Sequence, residues 1–168
     1  MAQLIKNGVA ARDSWQILEL AEGESPETVA LPDGEVIFPL AVWLARKDEI
    51  LSRPTIGLLL QPADRVEDIA GELASFALIA VNFPKFVDGR GYSTAALLRQ
   101  RYGYTGELRA VGDVLHDQLF FMRRVGFDSY ALKDGKNLPY AIEAAFKPFG
   151  DAYQGATDQA QPHFRRRA

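Results

Sequence analysis

Thr55-Ile56-Gly57-Leu58-Leu59-Leu60 and Phe76-Ala77-Leu78-Ile79-Ala80-Val81 are two unbroken apolar runs, and together with the residues between them they decide the fold. Each run has the length of a strand, and a strand that is apolar at every position is buried on both faces. Gln61-Pro62 bounds the first run and Asn82-Phe83-Pro84 the second. Between them, Asp64 can cap a helix whose Val66, Ile69, Ala70 and Leu73 fall at i, i+3, i+4 and i+7, the spacing of one apolar face. Two buried strands joined through a helix run parallel, because a parallel return needs a long crossover.

The unit repeats in both directions. Upstream, Val36-Ile37-Phe38 reads as a strand, and Pro39 suits the first turn of the helix that follows. Leu40, Trp43, Leu44 and Lys47 keep helical spacing, Ile50 and Leu51 continue it, and Arg53-Pro54 stops it. Downstream come a helix from Ser93 to Tyr102, a strand at Leu108-Arg109-Ala110-Val111, and a helix marked by Leu115, Leu119, Met122 and Val125 that Gly126 ends. A strand from Phe127 to Leu132 and a last helix marked by Ile142, Ala145, Phe146 and Phe149 complete the series.

The expected class is therefore α/β, a parallel sheet of about five βα units. Right-handed crossovers leave two architectures, half of a (β/α)8 barrel or an open doubly wound sheet, of which the consecutive, barrel-like order is preferred. This domain occupies residues 36–150. Residues 1–35 read as a small β-rich preface, with Leu4-Ile5 and Trp15-Gln16-Ile17-Leu18 as short strands and a polar loop from Glu22 to Asp33. Residues 151–168 lose periodicity, end in Arg165-Arg166-Arg167, and read as a mobile tail.

Composition narrows the function classes. Of 168 residues 48% are hydrophobic and the net charge is −3, which excludes a disordered chain and argues against a basic nucleic-acid binder. There is no cysteine, so disulfides, thiolate catalysis, zinc–thiolate sites and cysteine-held iron–sulfur clusters are excluded within the chain. No apolar run approaches the ~20 residues of a membrane helix, and the first residues carry no secretory apolar core. A cytoplasmic protein with neither nucleic-acid nor membrane partners is expected. The open strand edges of a half barrel call for cover, which makes a homodimer the expected assembly.

Ligands of parallel α/β folds gather at the carboxyl ends of the strands. There the loop Asn82 to Ser93 holds the strongest chemistry. Gly89 and Gly91 flank Arg90 just before a helix, so the backbone can turn and approach a ligand closely. Lys85 and Arg90 add positive charge, and Ser93 can cap the helix or donate to an oxyanion. A phosphate, sulfate, sulfite or carboxylate would suit this set. The plainer reading is a structural loop in which Asp88 pairs with Arg90. The pattern lacks the third glycine of a dinucleotide fingerprint.

Asp113 ends the next strand and reads as a helix cap; with Asp117 on one helical face it could hold a cation, although capping is the simpler role and no metal is assigned. Arg109 lies inside an apolar strand and needs a carboxylate partner, with Glu107, Asp113 and Asp128 close by in sequence; alternatively it points into the pocket and binds an anion. Trp15 and Trp43 read as core anchors. The candidate ligand-binding set is thus Asn82, Lys85, Asp88, Gly89, Arg90, Gly91, Ser93, Arg109 and Asp113. It requires all strands to run one way, so that the loops at Asn82 and Gly112 meet at one mouth.

Phe83-Pro84-Lys85-Phe86-Val87-Asp88-Gly89-Arg90-Gly91-Tyr92-Ser93 followed by Leu97-Leu98-Arg99 resembles a signature of a bacterial family catalogued as domain of unknown function 934. Gly106 to Leu115, Asp117-Gln118, Gly126-Phe127-Asp128 and Trp43-Leu44-Ala45 extend the resemblance from about Val36 to Phe149. Members are often described as oxidoreductases of sulfite reduction, a description that goes with neighbouring sulfite reductase and phosphoadenylyl-sulfate reductase genes. The resemblance implies a process and carries no established catalytic residue. It implies an accessory or anion- or phosphorylated-ligand-binding protein of sulfite and sulfate reduction. The alternatives are an oxidoreductase with a non-covalently bound flavin or nicotinamide, and a subunit that docks on the sulfite-reduction enzymes.

Overall fold

The computed structural model describes residues 3–133, 137–146 and 151–166. Eight strands form one sheet: β1 (Gln3–Lys6), β2 (Val9–Ala11), β3 (Gln16–Ile17), β4 (Val36–Pro39), β5 (Gly57–Leu60), β6 (Leu78–Phe83), β7 (Glu107–Gly112) and β8 (Ser129–Leu132). Their spatial order is β2-β1-β8-β7-β6-β5-β4-β3. From β3 to β8 each strand pairs in parallel with the next in sequence. This is the sequential order of a barrel, and it decides against the doubly wound alternative.

The expectation of an all-parallel sheet of about five βα units is corrected. β1 pairs antiparallel with β8, and β2 returns antiparallel on β1 across the tight turn at Asn7 and Gly8, both with positive φ. β3 joins the opposite edge beside β4. Residues 3–17 therefore supply both edges of a mixed sheet. Their strands are too short to stand alone and gain stability only by pairing with a preformed sheet.

Chain length dictates the curl. Only residues 12–15 separate β2 from β3, the two edges. Five Cα steps reach about 18 Å at most, whereas eight strands laid flat would span about 34 Å. The sheet has to bend until its edges approach, and it forms a curled half barrel.

Side-chain alternation then sorts two faces. Val36, Phe38, Leu58, Leu60, Ile79, Val81, Phe83, Leu108 and Ala110 point into the main core under the helices. Ile37, Leu59, Leu78, Ala80 and Val111 form a second cluster on the concave face, where Trp15 and Ala131 pack against them. β5 is buried at every position, as an uninterrupted apolar run requires. Trp15 lies over Gly57, where a Cβ would stand 2.8 Å from its ring and 2.9 Å from Ile37. Trp43, 1% exposed, is the expected core anchor, whereas Trp15 is half-buried.

The convex face carries α1 (Leu40–Ala45), α2 (Lys47–Leu51), α3 (Arg90–Ala96) prolonged by a π-turn over Leu97–Arg101, α4 (Leu119–Val125), and α5 (Leu138–Tyr140) prolonged by a π-turn over Ala141–Ala145. The helix expected at Val66–Leu73 is two 3₁₀ turns, Val66–Ile69 and Leu73–Ser75. Gly71 between them disfavours a continuous helix. Val66 and Ile69 still share a buried side, because a 3₁₀ turn also aligns i with i+3. Asp64 does not cap this segment; its carboxylate accepts the Gln61 N–H. Gly126 ends α4 in the left-handed region, φ +113°. Phe149 lies outside the described residues.

Residues 151–166, read from the sequence as a tail, end in α6 (His163–Arg166) and contact the domain. Arg124 of α4 pairs with Asp158 at 3.0 Å and donates to the Gln154 carbonyl, and the Thr157 N–H donates to the Arg124 carbonyl. No helix among the described residues is long and apolar enough to cross a membrane.

Candidate functional site at the mouth of the curled sheet

Parallel pairing of β3 to β8 puts their carboxyl ends on one rim. Phe83 is paired with Gly112, so the loops after β6 and β7 leave side by side. The Asp113 N–H donates to the Phe83 carbonyl at 2.7 Å. The Asp113 carboxylate accepts the Phe86 N–H at 3.2 Å and the Lys133 ammonium at 2.8 Å. One residue thus ties the loops following β6, β7 and β8 together. The helix-cap role expected for Asp113 is corrected: the short 3₁₀ turn His116–Gln118 begins after Leu115, and the Gln118 side chain accepts the Leu115 N–H. The antiparallel neighbour β1 lies beyond β8 and leaves this rim intact. The expected condition that all strands run one way is not met, because β1 pairs antiparallel with β8; the loops at Asn82 and Gly112 meet because β6 and β7 are parallel.

A cavity of about 660 Å³ opens at this rim, within the size range of small-molecule sites. Leu18, Leu20, Leu40, Leu59 and Val111 supply apolar wall. Polar atoms come from Glu19, Gln61, Asp64 and Asn82. Asn82 Nδ2 donates to Gln61 Oε1 at 2.8 Å, and the Gln61 N–H donates to Asp64 Oδ2 at 2.7 Å. Burial pushes the Asp64 carboxyl above its ordinary value, outweighing the Gln61 N–H that lowers it. Gly112 adopts φ +94°, and a Cβ there would stand 2.5 Å from Asn82 Oδ1, so glycine is required where the β7 turn passes under Asn82.

A second cavity of about 430 Å³ lies over the concave face, lined by Asp13, Trp15, Arg109 and Lys133 among others. It shares Ile17, Glu19, Val111 and Gly112 with the first, so the two are continuous. The segment around β3 forms one wall of both.

Arg109 is 2% exposed on this concave face. Its guanidinium bonds Asp13 at 2.8 Å and Glu107 at 2.7 Å. Glu107 also takes Lys6 at 2.5 Å. Burial raises the Glu107 carboxyl, but Lys6 and Arg109 outweigh it and the net shift is downward. Lys6, Glu107, Arg109 and Asp13 form an alternating chain of charge that ties β1, β7 and the 12–15 segment together. Glu107 is among the partners the sequence offers Arg109; Asp13, ninety-six positions away, is not. No local pattern could have signalled it, because the sheet's curl makes the contact.

Of the other sequence-derived residues, Asn82 lines the mouth, while Lys85, Asp88, Gly89, Arg90, Gly91 and Ser93 line neither cavity. Asp88 accepts from the Arg90 N–H at 3.2 Å and from the Arg90 guanidinium at 3.0 and 2.7 Å. That pairing holds the Asp88 carboxyl below its ordinary value. Gly91 serves packing: a Cβ there would stand 2.6 Å from the Phe83 ring. Gly89 faces open space. Ser93 is exposed within α3, three residues past its start, so it does not cap the helix. Asp113 and Asp117 do not share a helical face, since Asp113 precedes the 3₁₀ turn. Among the described residues no three His, Asp or Glu side chains are grouped to hold a metal.

The mouth can bury a small organic molecule and orient it by hydrogen bonds with Gln61 and Asn82 and by hydrogen bonds that Asp64 accepts. Comparison with curated proteins and with solved structures gives no match. The family described as "Bacterial protein of unknown function (DUF934)" matches residues 57–164, which run from β5 into α6 and include Gln61, Asp64 and Asn82 of the mouth. That match covers more than half of the chain, and the chain belongs to this family.

Proposed function

We propose that this chain is an accessory ligand-binding protein of assimilatory sulfite and sulfate reduction, with its ligand seated at the mouth of the curled sheet. The observation that carries the binding role is the cavity of about 660 Å³ at the carboxyl ends of the parallel strands, with apolar walls and a hydrogen-bonded Asn82–Gln61–Asp64 relay. The process comes from the family resemblance. Two experiments test the two halves. Deletion of the gene should impair growth on sulfate or sulfite as sole sulfur source, with rescue by cysteine; undiminished growth on both overturns the process. Ala41 is exposed at the rim, and Ala41→Trp should fill the mouth without disturbing the fold. Any small molecule that the protein carries or binds should be lost in this variant, and retention would move the site elsewhere.

A second reading places an oxyanion at Lys85–Ser93. It is favoured by the fact that this loop already holds an anion, the Asp88 carboxylate, on the Arg90 N–H and guanidinium. An external oxyanion has to displace Asp88. Titration calorimetry with sulfite, sulfate and adenylyl-sulfate compounds should give heat that Asp88→Ala increases and Arg90→Ala removes; no heat with any of them excludes it. The oxidoreductase alternative predicts flavin absorbance or NADPH oxidation in the purified protein.

A further inference from the structure

The mouth is one-sided in charge. The described residues that line it include Glu19 and Asp64 but no Lys, Arg or His. The two cations of the adjoining cavity, Arg109 and Lys133, are engaged by Asp13 with Glu107 and by Asp113. An anion entering the mouth would meet two carboxylates and no cation to offset them. A cation meets the reverse, on apolar walls that weaken screening by water.

We propose that the mouth takes a small organic cation, an apolar body bearing an amidine- or amine-like head that is directed at Asp64. Leu18, Leu40, Leu59 and Val111 bury the body. Asp64 Oδ2 is fixed by the Gln61 N–H, which holds the carboxylate still, while Oδ1 has no hydrogen-bond partner among the described residues. Burial makes the Asp64 charge costly when alone, and a cation beside it removes that cost. The inference rests on the reading of the mouth as a ligand site and narrows its chemistry: sulfite, sulfate and phosphorylated compounds are not its occupants.

Benzamidine, benzamide and benzoate share one flat shape and differ in charge, so they separate charge from fit. Ligand-detected NMR and calorimetry on the full chain at neutral pH and low salt should rank them benzamidine, benzamide, benzoate, with the ends about tenfold apart, as one charge-assisted hydrogen bond supplies. Asp64→Asn keeps an oxygen for the Gln61 N–H; it should cut benzamidine binding about tenfold and leave benzamide within about twofold. Ala41→Trp should abolish binding of all three. Benzoate binding as tightly as benzamidine, or benzamidine indifferent to Asp64→Asn, overturns the cation while leaving the mouth a ligand site. Binding of all three that survives Ala41→Trp, or no binding of any, overturns both.

Discussion

Arg109 shows what a single charged residue costs and supplies in a curled sheet. A guanidinium 2% exposed is tolerable only because two carboxylates meet it. Arg109→Met keeps most of the volume but strands Asp13 and half of the Glu107 pairing; a loss of about 3 kcal/mol is expected in urea unfolding. Glu107 contributes a defined part of the pH dependence. Its folded-state carboxyl lies below the ordinary 4.5, so its contribution is complete above that value and is lost as pH falls through the lower folded one. In unfolding at a series of pH values, the stability gap between wild type and Glu107→Gln should therefore shrink below pH 4.5. A gap that stays constant or widens on acidification would show that Lys6 and Arg109 do not hold that carboxylate. Asp128 acts with the opposite sign. Burial raises its carboxyl despite the Leu108 N–H and Arg99, so its charge costs stability at neutral pH and that cost eases on acidification.

At the scale of elements, the 12–15 connection is the part whose role least resembles its local sequence. It joins β2 at one edge to β3 at the other, lays Trp15 over Gly57, and sends Asp13 to Arg109. Gly57→Ala puts a methyl 2.8 Å from the Trp15 ring and should destabilise by about 1–3 kcal/mol, with the Trp15 emission moving to longer wavelength as the ring is pushed into water. An unshifted emission would place Trp15 elsewhere. A double-mutant cycle on Asp13 and Arg109 should give a coupling of about 1–3 kcal/mol, because the two are in direct contact and share Glu107's field. The 3₁₀ turns between β5 and β6 make the complementary point: the buried positions Val66, Ile69 and Leu73 keep their place in the core although the helix type differs.

For the molecule as a whole, the edges of the sheet are three and two residues long and lie close to one another. Short edges of this kind are themselves a safeguard against pairing with another chain. The segment 151–166 is held where Arg124 meets Asp158 and the Gln154 carbonyl, and where the Gln100 amide donates to Thr157 Oγ1 at 3.0 Å. Arg124→Ala should expose the arginines of that segment to trypsin while the rest of the domain resists, as read by mass spectrometry of the fragments. Cleavage no faster than in wild type would mean the segment is held by other contacts.

The strands of the parallel run are legible in their own residues. The five expected strands are β4 to β8, and the two unbroken apolar runs among them, β5 and β6, need no information beyond their own residues. Gly126 ended its helix, and Asp88 found Arg90 two positions away, for the same local reason. Tertiary structure alone decided the closure and the cavity. The reach of four residues between the two edge strands forces the curl, which brings Asp13 to Arg109 and carries Glu19 to the same mouth as Gln61, Asp64 and Asn82. Contacts set by a geometric limit on the chain leave no periodic trace in the residues that make them.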